Sequence, residues 1–258
     1  MRIHFTGPWN TRLLPAYLLT EQKRMPAGMM HLSNDFIYGS KLKDGRGAAL
    51  TGLADAQALK AYLAAMYPSL KPEPEEIVYP IMLNIHGETS TEHKGTSVFN
   101  TYNVAATLDE IVKLLQSHPP ANCNNVAIAT PYRAQLRKYR RALQKAHKRF
   151  PELKMDKIRI GTAAYWQGKE LSYMFVDLVR ASNDAAALDF VSDARRLNVL
   201  VTRQTLGFWL VGDERCVLTL GQQAERDNPY EDTSSNANES QQPNVAAVPQ
   251  HDDDDKAA

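Results

Sequence analysis

The sequence predicts an α/β fold, a parallel β-sheet with helices on both faces, and three observations carry that expectation. Short apolar runs recur along the chain. Segments of helical periodicity alternate with them. Within each run the apolar residues fill both faces of the strand instead of every second position, as a sheet covered on both sides requires.

The first amphipathic helix is expected at 52–67 (GLADAQALKAYLAAMY). A strand falls within 75–87 (EEIVYPIMLNIHG), and a second helix at 104–118 (VAATLDEIVKLLQSH). NNVAIATPY (124–132) is a β-rich run stopped by Pro131. The helix at 132–150 places Leu136, Tyr139, Leu143 and Ala146 on one apolar stripe. KIRIGTAA (157–164) and LSYMFVDLVR (171–180) read as strands. SDARRLNVLVTRQT (192–205) reads as a helix capped by Ser192 or Asp193, and LGFWLVGDE (206–214) as the last strand. No internal repeat interrupts this order.

At 258 residues the chain holds one sizeable domain with appendages, or two small ones. Its 43% hydrophobic content is enough for a core, and no apolar run approaches the ~20 residues of a membrane span. The N-terminus, MRIHFTGPWNTR, lacks the apolar region of a secretory signal. Two cysteines, Cys123 and Cys216, make neither a disulfide framework nor a zinc site. They read as buried thiols of a reducing compartment, nuclear or cytoplasmic.

A net charge of +1 hides an asymmetry. Residues 221–258 carry nine acids and two bases, which leaves 28 bases against 20 acids in residues 1–220. A basic body suggests a polyanionic partner. The acidic end, rich in Asn, Gln, Ser and Pro, is expected to be disordered, and its DDDDK run fits either a protease-cleavage tag or a natural acidic tail.

Much of the body's charge lies on the helix at 132–150, which carries Arg133, Arg137, Lys138, Arg140, Arg141, Lys145, Lys148 and Arg149 without one acid. Like charges at i, i+4 repel by ~0.2–0.5 kcal/mol each, so a nucleic-acid or protein contact competes evenly with a merely solvated face. Arg195, Arg196 and Arg203 flank LNVLVT, and a spacing of seven puts Arg196 and Arg203 on one helical face. Structural ion pairs are the plain explanation for such arginines; stabilising a transferring phosphoryl group is the sharper one. His86, Glu88, Glu92 and His93 lie in a loop-forming stretch without metal-ligand spacing, and no metal is assigned. No G-x-S-x-G nucleophile pattern occurs.

Residues 161–170, GTAAYWQGKE, test for a phosphate-cradling P-loop and fail. Gly161 and Gly168 are separated by six residues instead of four, and Glu170 follows Lys169 where a magnesium-binding hydroxyl belongs. In parallel sheets ligands bind beyond the carboxyl ends of the strands. Of three polar strand ends, Thr130-Pro131-Tyr132, Gly161-Thr162 and Gly212-Asp213, the first two are the expected functional edges.

Four segments in order carry a family resemblance: 19–45 (LTEQKRMPAGMMHLSNDFIYGSKLKDG), 126–143 (VAIATPYRAQLRKYRRAL), 158–180 (IRIGTAAYWQGKELSYMFVDLVR) and 190–213 (FVSDARRLNVLVTRQTLGFWLVGD). Together they resemble the second RecA-like domain of superfamily-1 helicases of the up-frameshift type, the helicases of nonsense-mediated decay and their fungal relatives, with this chain a divergent fungal member. The resemblance implies a RecA-like P-loop-NTPase fold lacking the P-loop itself. It divides the chain into an N-terminal segment (1–18), the RecA-like domain (19–220) and the acidic tail (221–258).

It also implies roles. Arg24 and Arg203 match the family's γ-phosphate arginines, which act in trans on a nucleotide held by a first RecA-like domain. Gln167, Gly168, Glu170 and Arg196 match the opposite wall of that nucleotide site. Thr130, Pro131, Tyr132, Arg133 and Thr162 match positions beside the nucleic-acid backbone. The implied cofactors are ATP and Mg²⁺, only with a first RecA-like domain. The implied partners are that domain and single-stranded nucleic acid. The chain departs from the family pattern at Lys23, where a tyrosine is usual, at Ala164 and Tyr165 before QGKE, and at Thr205, which replaces a second arginine. The rival to a motor half is a stand-alone, degenerate module that binds nucleic acid or a protein without ATPase activity.

Overall fold

The computed structural model describes residues 2–3, 14–15, 19–45, 54–69, 77–93, 95–181 and 194–216. The expected caps Ser192 and Asp193, the acidic tail and all but four residues of 1–18 lie outside these ranges.

Five parallel strands form the central sheet: β1 (Ile81–Asn84), β2 (Val126–Ala129), β3 (Arg159–Gly161), β4 (Leu171–Asp177) and β5 (Gln204–Gly212), in the spatial order β1-β5-β4-β2-β3. Among the described residues six α-helices accompany them: α1 (His31–Ile37), α2 (Ala54–Met66), α3 (Thr101–Ser117), α4 (Arg133–Arg149), α5 (Ala163–Trp166) and α6 (Ala194–Val201). With right-handed crossovers, the outward steps from β1 to β2 to β3 put α3 and α4 on one face, and the return steps to β4 and β5 put α5 and α6 on the other. Contacts agree: α3 packs on α4, and α5 packs on α6.

The chain reverses between β2 and β4, so the strand ends there open onto a crevice at the topological switch point. Strand alternation sends Tyr173, Phe175 and Asp177 of β4 toward α3 and α4, and Met174 and Val176 the opposite way. All five are fully buried. Phe175 stacks on Trp209 of β5 with ring centroids 4.7 Å apart. Burying each such side chain stabilises the fold by about 1.5–3 kcal/mol.

Each expected element exists, with shifts at the ends. Helix α3 begins earlier than its apolar pattern does, because Asn100 caps it: its Oδ1 accepts from the backbone N–H groups of Tyr102 and Asn103, at 3.0 and 3.2 Å. Strand β3 stops at Gly161, and the residues expected to extend it turn into α5. A side chain at Gly161 would run into Tyr165, whose Cδ1 lies 2.2 Å from an added Cβ. Helix α6 ends at Val201, earlier than expected, since Gln204 already belongs to β5. Cys123 and Cys216 are both buried. Among the described residues no helix is long and apolar enough to cross a membrane.

Candidate functional site

Two polar constellations sit at opposite ends of the strands. The first lies at the carboxyl ends of β2, β3 and β4. Thr130, Pro131 and Tyr132 turn β2 into α4, and Thr130 N–H donates to the Gly161 carbonyl at 3.1 Å, tying the ends of β2 and β3 together. A cleft of about 470 Å³ opens beside them, lined by Pro131, Arg133, Thr162, Gln167, Arg195 and Arg196 among others. Arg180, just beyond β4, donates from Nε to the Tyr132 hydroxyl at 3.0 Å and bridges the switch-point crevice. The Thr130 hydroxyl is buried without a hydrogen-bond partner.

A buried polar network anchors this edge from below. The Asp177 carboxylate, completely buried at the end of β4, accepts from Asn103 of α3 at 2.7 Å, Tyr139 of α4 at 2.7 Å, Gln135 of α4 and the Val179 N–H at 2.8 Å. Burial raises its pKa, and the four donors oppose that rise. Thr107 meets the Tyr139 hydroxyl at 2.9 Å, and Gln135 exchanges two bonds with the backbone of Asn100. Val179 stands at φ +70°, a costly conformation for a β-branched residue. Its N–H is held by Asp177, and its carbonyl accepts from Asn100 and Thr89. The network therefore fixes the strained turn that presents Arg180. The sequence marks none of these residues as part of a site, and Tyr139 enters there only as a member of the apolar stripe of α4. The available signal was Gln135, a polar residue beside the buried stripe of α4, and Asn100, a capping residue before an apolar helix.

The second constellation lies at the amino ends of β4 and β5. Residues 167–170 cross back from α5 to β4, and Gly168 adopts φ +73°, a conformation favouring glycine. Arg24 reaches in from the EQKRM segment; its Nε donates to Glu170 at 2.5 Å and its Nη1 to the Thr202 carbonyl at 2.8 Å. Gln22 holds that segment in place, accepting from the N–H groups of Arg24 and Met25 and donating to the Met25 carbonyl. Arg203 follows in the turn after α6, with Nη2 donating to the Thr202 hydroxyl at 2.7 Å and Nε buried without a partner. Its pKa is lowered, first by burial and then by the Arg24 charge; Glu170 pulls the other way. Arg24 thus holds Glu170, and both guanidinium groups meet at Thr202, Arg24 on its carbonyl and Arg203 on its hydroxyl.

The structure brings Arg24, Glu170 and Arg203 together from positions far apart in sequence. It brings Pro131, Arg133 and Thr162 together around one cleft. It also redistributes two expected members of the nucleotide wall: Gln167 and Arg196 line the cleft at the carboxyl ends, with Thr162 and Arg133. Arg196 and Arg203 do not share a helical face, because α6 has ended before Arg203. Lys169 stands over the Tyr165 ring at 3.5 Å, occupied by a cation–π contact. Glu92 pairs with Arg137, so the loop at 84–95 and the basic helix are partly joined.

A parallel sheet in this order, covered by helices on both faces, defines a RecA-like α/β domain. The profile of the AAA domain family matches residues 9–215. The putative helicase mov-10-B.2 of Danio rerio is 29% identical over 154 residues, covering 55% of this chain and 15% of that protein. Putative helicase MOV-10 of Gallus gallus is 25% identical over 204 residues, covering 74% and 20%. Regulator of nonsense transcripts 1 of Dictyostelium discoideum is 30% identical over 146 residues, covering 56% and 10%. The chain belongs to the AAA domain family and, with these relatives, to the superfamily-1 helicases of the up-frameshift type. The matched part spans a fifth or less of each of the three relatives.

Proposed function

We propose that this chain is the second motor domain of an ATP-dependent helicase. It supplies Arg24 and Arg203 in trans to a nucleotide held by the P-loop of a first RecA-like domain. The observation that carries this reading is the meeting of Arg24 and Arg203 at Thr202, beside Glu170, with the Arg203 Nε buried and unpartnered. A half-desolvated guanidinium with an unused donor fits an anion arriving from outside the chain. The γ-phosphate of a bound ATP is such an anion, with its Mg²⁺ held by the first domain.

In this reading Arg24 and Arg203 neutralise charge that develops on the transferring phosphoryl group. Glu170, exposed beside them, exchanges its pairing with Arg24 for the nucleotide's ribose, and Gly168 leaves the backbone free to approach. The cleft at the carboxyl ends, with Thr130, Pro131, Tyr132, Arg133 and Thr162, borders a single-stranded nucleic-acid backbone. Cleft closure on ATP and opening after hydrolysis would then move one domain along the strand, in the nucleus or the cytoplasm. The relatives' names, two putative helicases among them, support a helicase assignment.

A second reading is a stand-alone module that keeps a binding surface and has lost the motor. The observation favouring it is that Glu170 is already satisfied by Arg24, alongside the departures Lys23, Ala164 and Thr205. One experiment separates the two. Joined to a first RecA-like domain, the chain hydrolyses ATP, and Arg203→Ala lowers the rate by about 10³–10⁵ while strand binding persists. Wild-type rates in the variant, or no turnover in the joined protein, would refute the finger assignment. The chain alone is the control, with no ATPase above background.

A further inference from the structure

We infer that the outer face of α4 is a second contact for nucleic acid, a phosphate rail that continues the strand-binding cleft along the flank of the domain. The structure removes three of the eight cations on this helix from consideration. Arg137 pairs with Glu92, Lys138 sits over the Phe99 ring at 3.8 Å, and Arg149 lies over Phe150 at 5.1 Å. Arg133, Arg140, Arg141, Lys145 and Lys148 remain, all exposed and with no ion pair among the described residues. Helical spacing puts these five within one arc opposite the buried Gln135, Tyr139 and Leu143.

The arrangement is costly for the isolated domain. Arg141 and Lys145 repeat like charge at i, i+4, and the first turn holds Arg133 and no acid, against the helix dipole. A polyanion relieves both. The occupant is a phosphate backbone and not a protein, because the stripe offers no apolar anchor. Among the described residues the exposed large hydrophobic ones are Leu19, Tyr102 and Tyr165, none of them on α4. Protein interfaces are built around buried aromatic and aliphatic centres, whereas a run of cations without them matches repeating phosphates. The rail is also continuous with the cleft: Arg133 belongs to both, and from it the helix runs about 25 Å to Arg149.

The inference extends the strand-binding half of the proposed function, and its test separates the two. Two fluorescent single-stranded oligonucleotides are titrated onto the full chain across a salt series. One is about six nucleotides long and fills the cleft only; the other, about sixteen, reaches the rail as well. In the double variant Arg141→Ala/Lys148→Ala, both positions exposed and both replaced by a strong helix former, the long probe should bind roughly tenfold more weakly. Its log–log salt slope should fall by about one to one and a half. The short probe should be unchanged. Undiminished binding of the long probe, as expected if the face serves a protein, overturns the rail. An equal loss for both lengths overturns it too, as does failure of the wild-type chain to bind the long probe at low salt. Binding of the long probe that depends on the rail, without any binding of the short one, would keep the rail and remove the cleft.

Discussion

The two ends of the sheet solve opposite problems. At the carboxyl ends, Asp177, Asn103, Gln135, Tyr139 and Thr107 are buried and hydrogen-bonded to one another. At the amino ends, Arg24 and Glu170 form an ion pair whose side chains are 37% and 54% exposed. A buried, satisfied network has one arrangement, because breaking any member strands the others in a medium without water. A half-exposed ion pair has many, because water replaces either partner at little cost. The first end is built to hold a shape, and the second to change partners.

Asp177→Ala is the sharpest way to break that contrast. It leaves the amide of Asn103, the amide of Gln135, the Tyr139 hydroxyl and the Val179 N–H without their common acceptor. An orphaned buried donor costs about 1–3 kcal/mol, and relaxation recovers part of that for four. A loss of about 3–5 kcal/mol is expected, read as a lower urea midpoint with an unchanged slope. A change under 1 kcal/mol would mean that the network is hydrated and does not fix the strained turn at Val179.

How much of this could be read beforehand differs between the two ends. The strands, the long helices and the cleft residues Pro131, Arg133 and Thr162 were legible, because apolar runs and strand-end positions are local signals. The meeting of Arg24 with Glu170 was not derivable from spacing; it came through family resemblance, since nothing local joins residues 146 positions apart. The Asp177 network was missed for a related reason. Its members come from α3, α4 and β4, and each alone looks like an ordinary polar residue in an amphipathic pattern. The placement of Gln167 and Arg196 in the cleft hinges on where α5 and α6 end, and element boundaries are the least legible feature of a sequence.

His118 sharpens the comparison by putting a buried group at the exposed end. It lies at the end of α3, 2% exposed, with Nε2 against the Tyr173 hydroxyl at 2.8 Å and its ring beside Tyr62. Burial lowers its pKa below the ordinary value, and the Asp55 charge opposes that only in part. The folded chain therefore binds this proton less readily than the unfolded chain does. The stability it contributes is fully present above about pH 6.5 and is lost as pH falls through the folded-state pKa. Urea midpoints should drop between pH 7 and pH 5, and His118→Gln should flatten that slope. An equal slope in the variant would assign the acid sensitivity to other groups and leave burial, as distinct from position on the sheet, without its test.

The smallest effect is expected where the sequence resemblance is strongest. Glu170→Gln removes the charge that Arg24 contacts, yet both side chains already meet water, so the fold should lose only about 0.2–1 kcal/mol. The consequence belongs to Arg203 instead. The Glu170 charge offsets part of the Arg24 repulsion felt by Arg203, so without it that repulsion is less opposed and an added anion has no competitor for Arg24. In the motor reading, inorganic phosphate should then raise the thermal midpoint of Glu170→Gln more than that of the wild-type chain, and Arg203→Ala should cancel the difference. A loss of several kcal/mol on Glu170→Gln would show that the ion pair is a structural clasp. The amino end would then hold a shape as the carboxyl end does, and the contrast between the two would be one of materials and not of purpose.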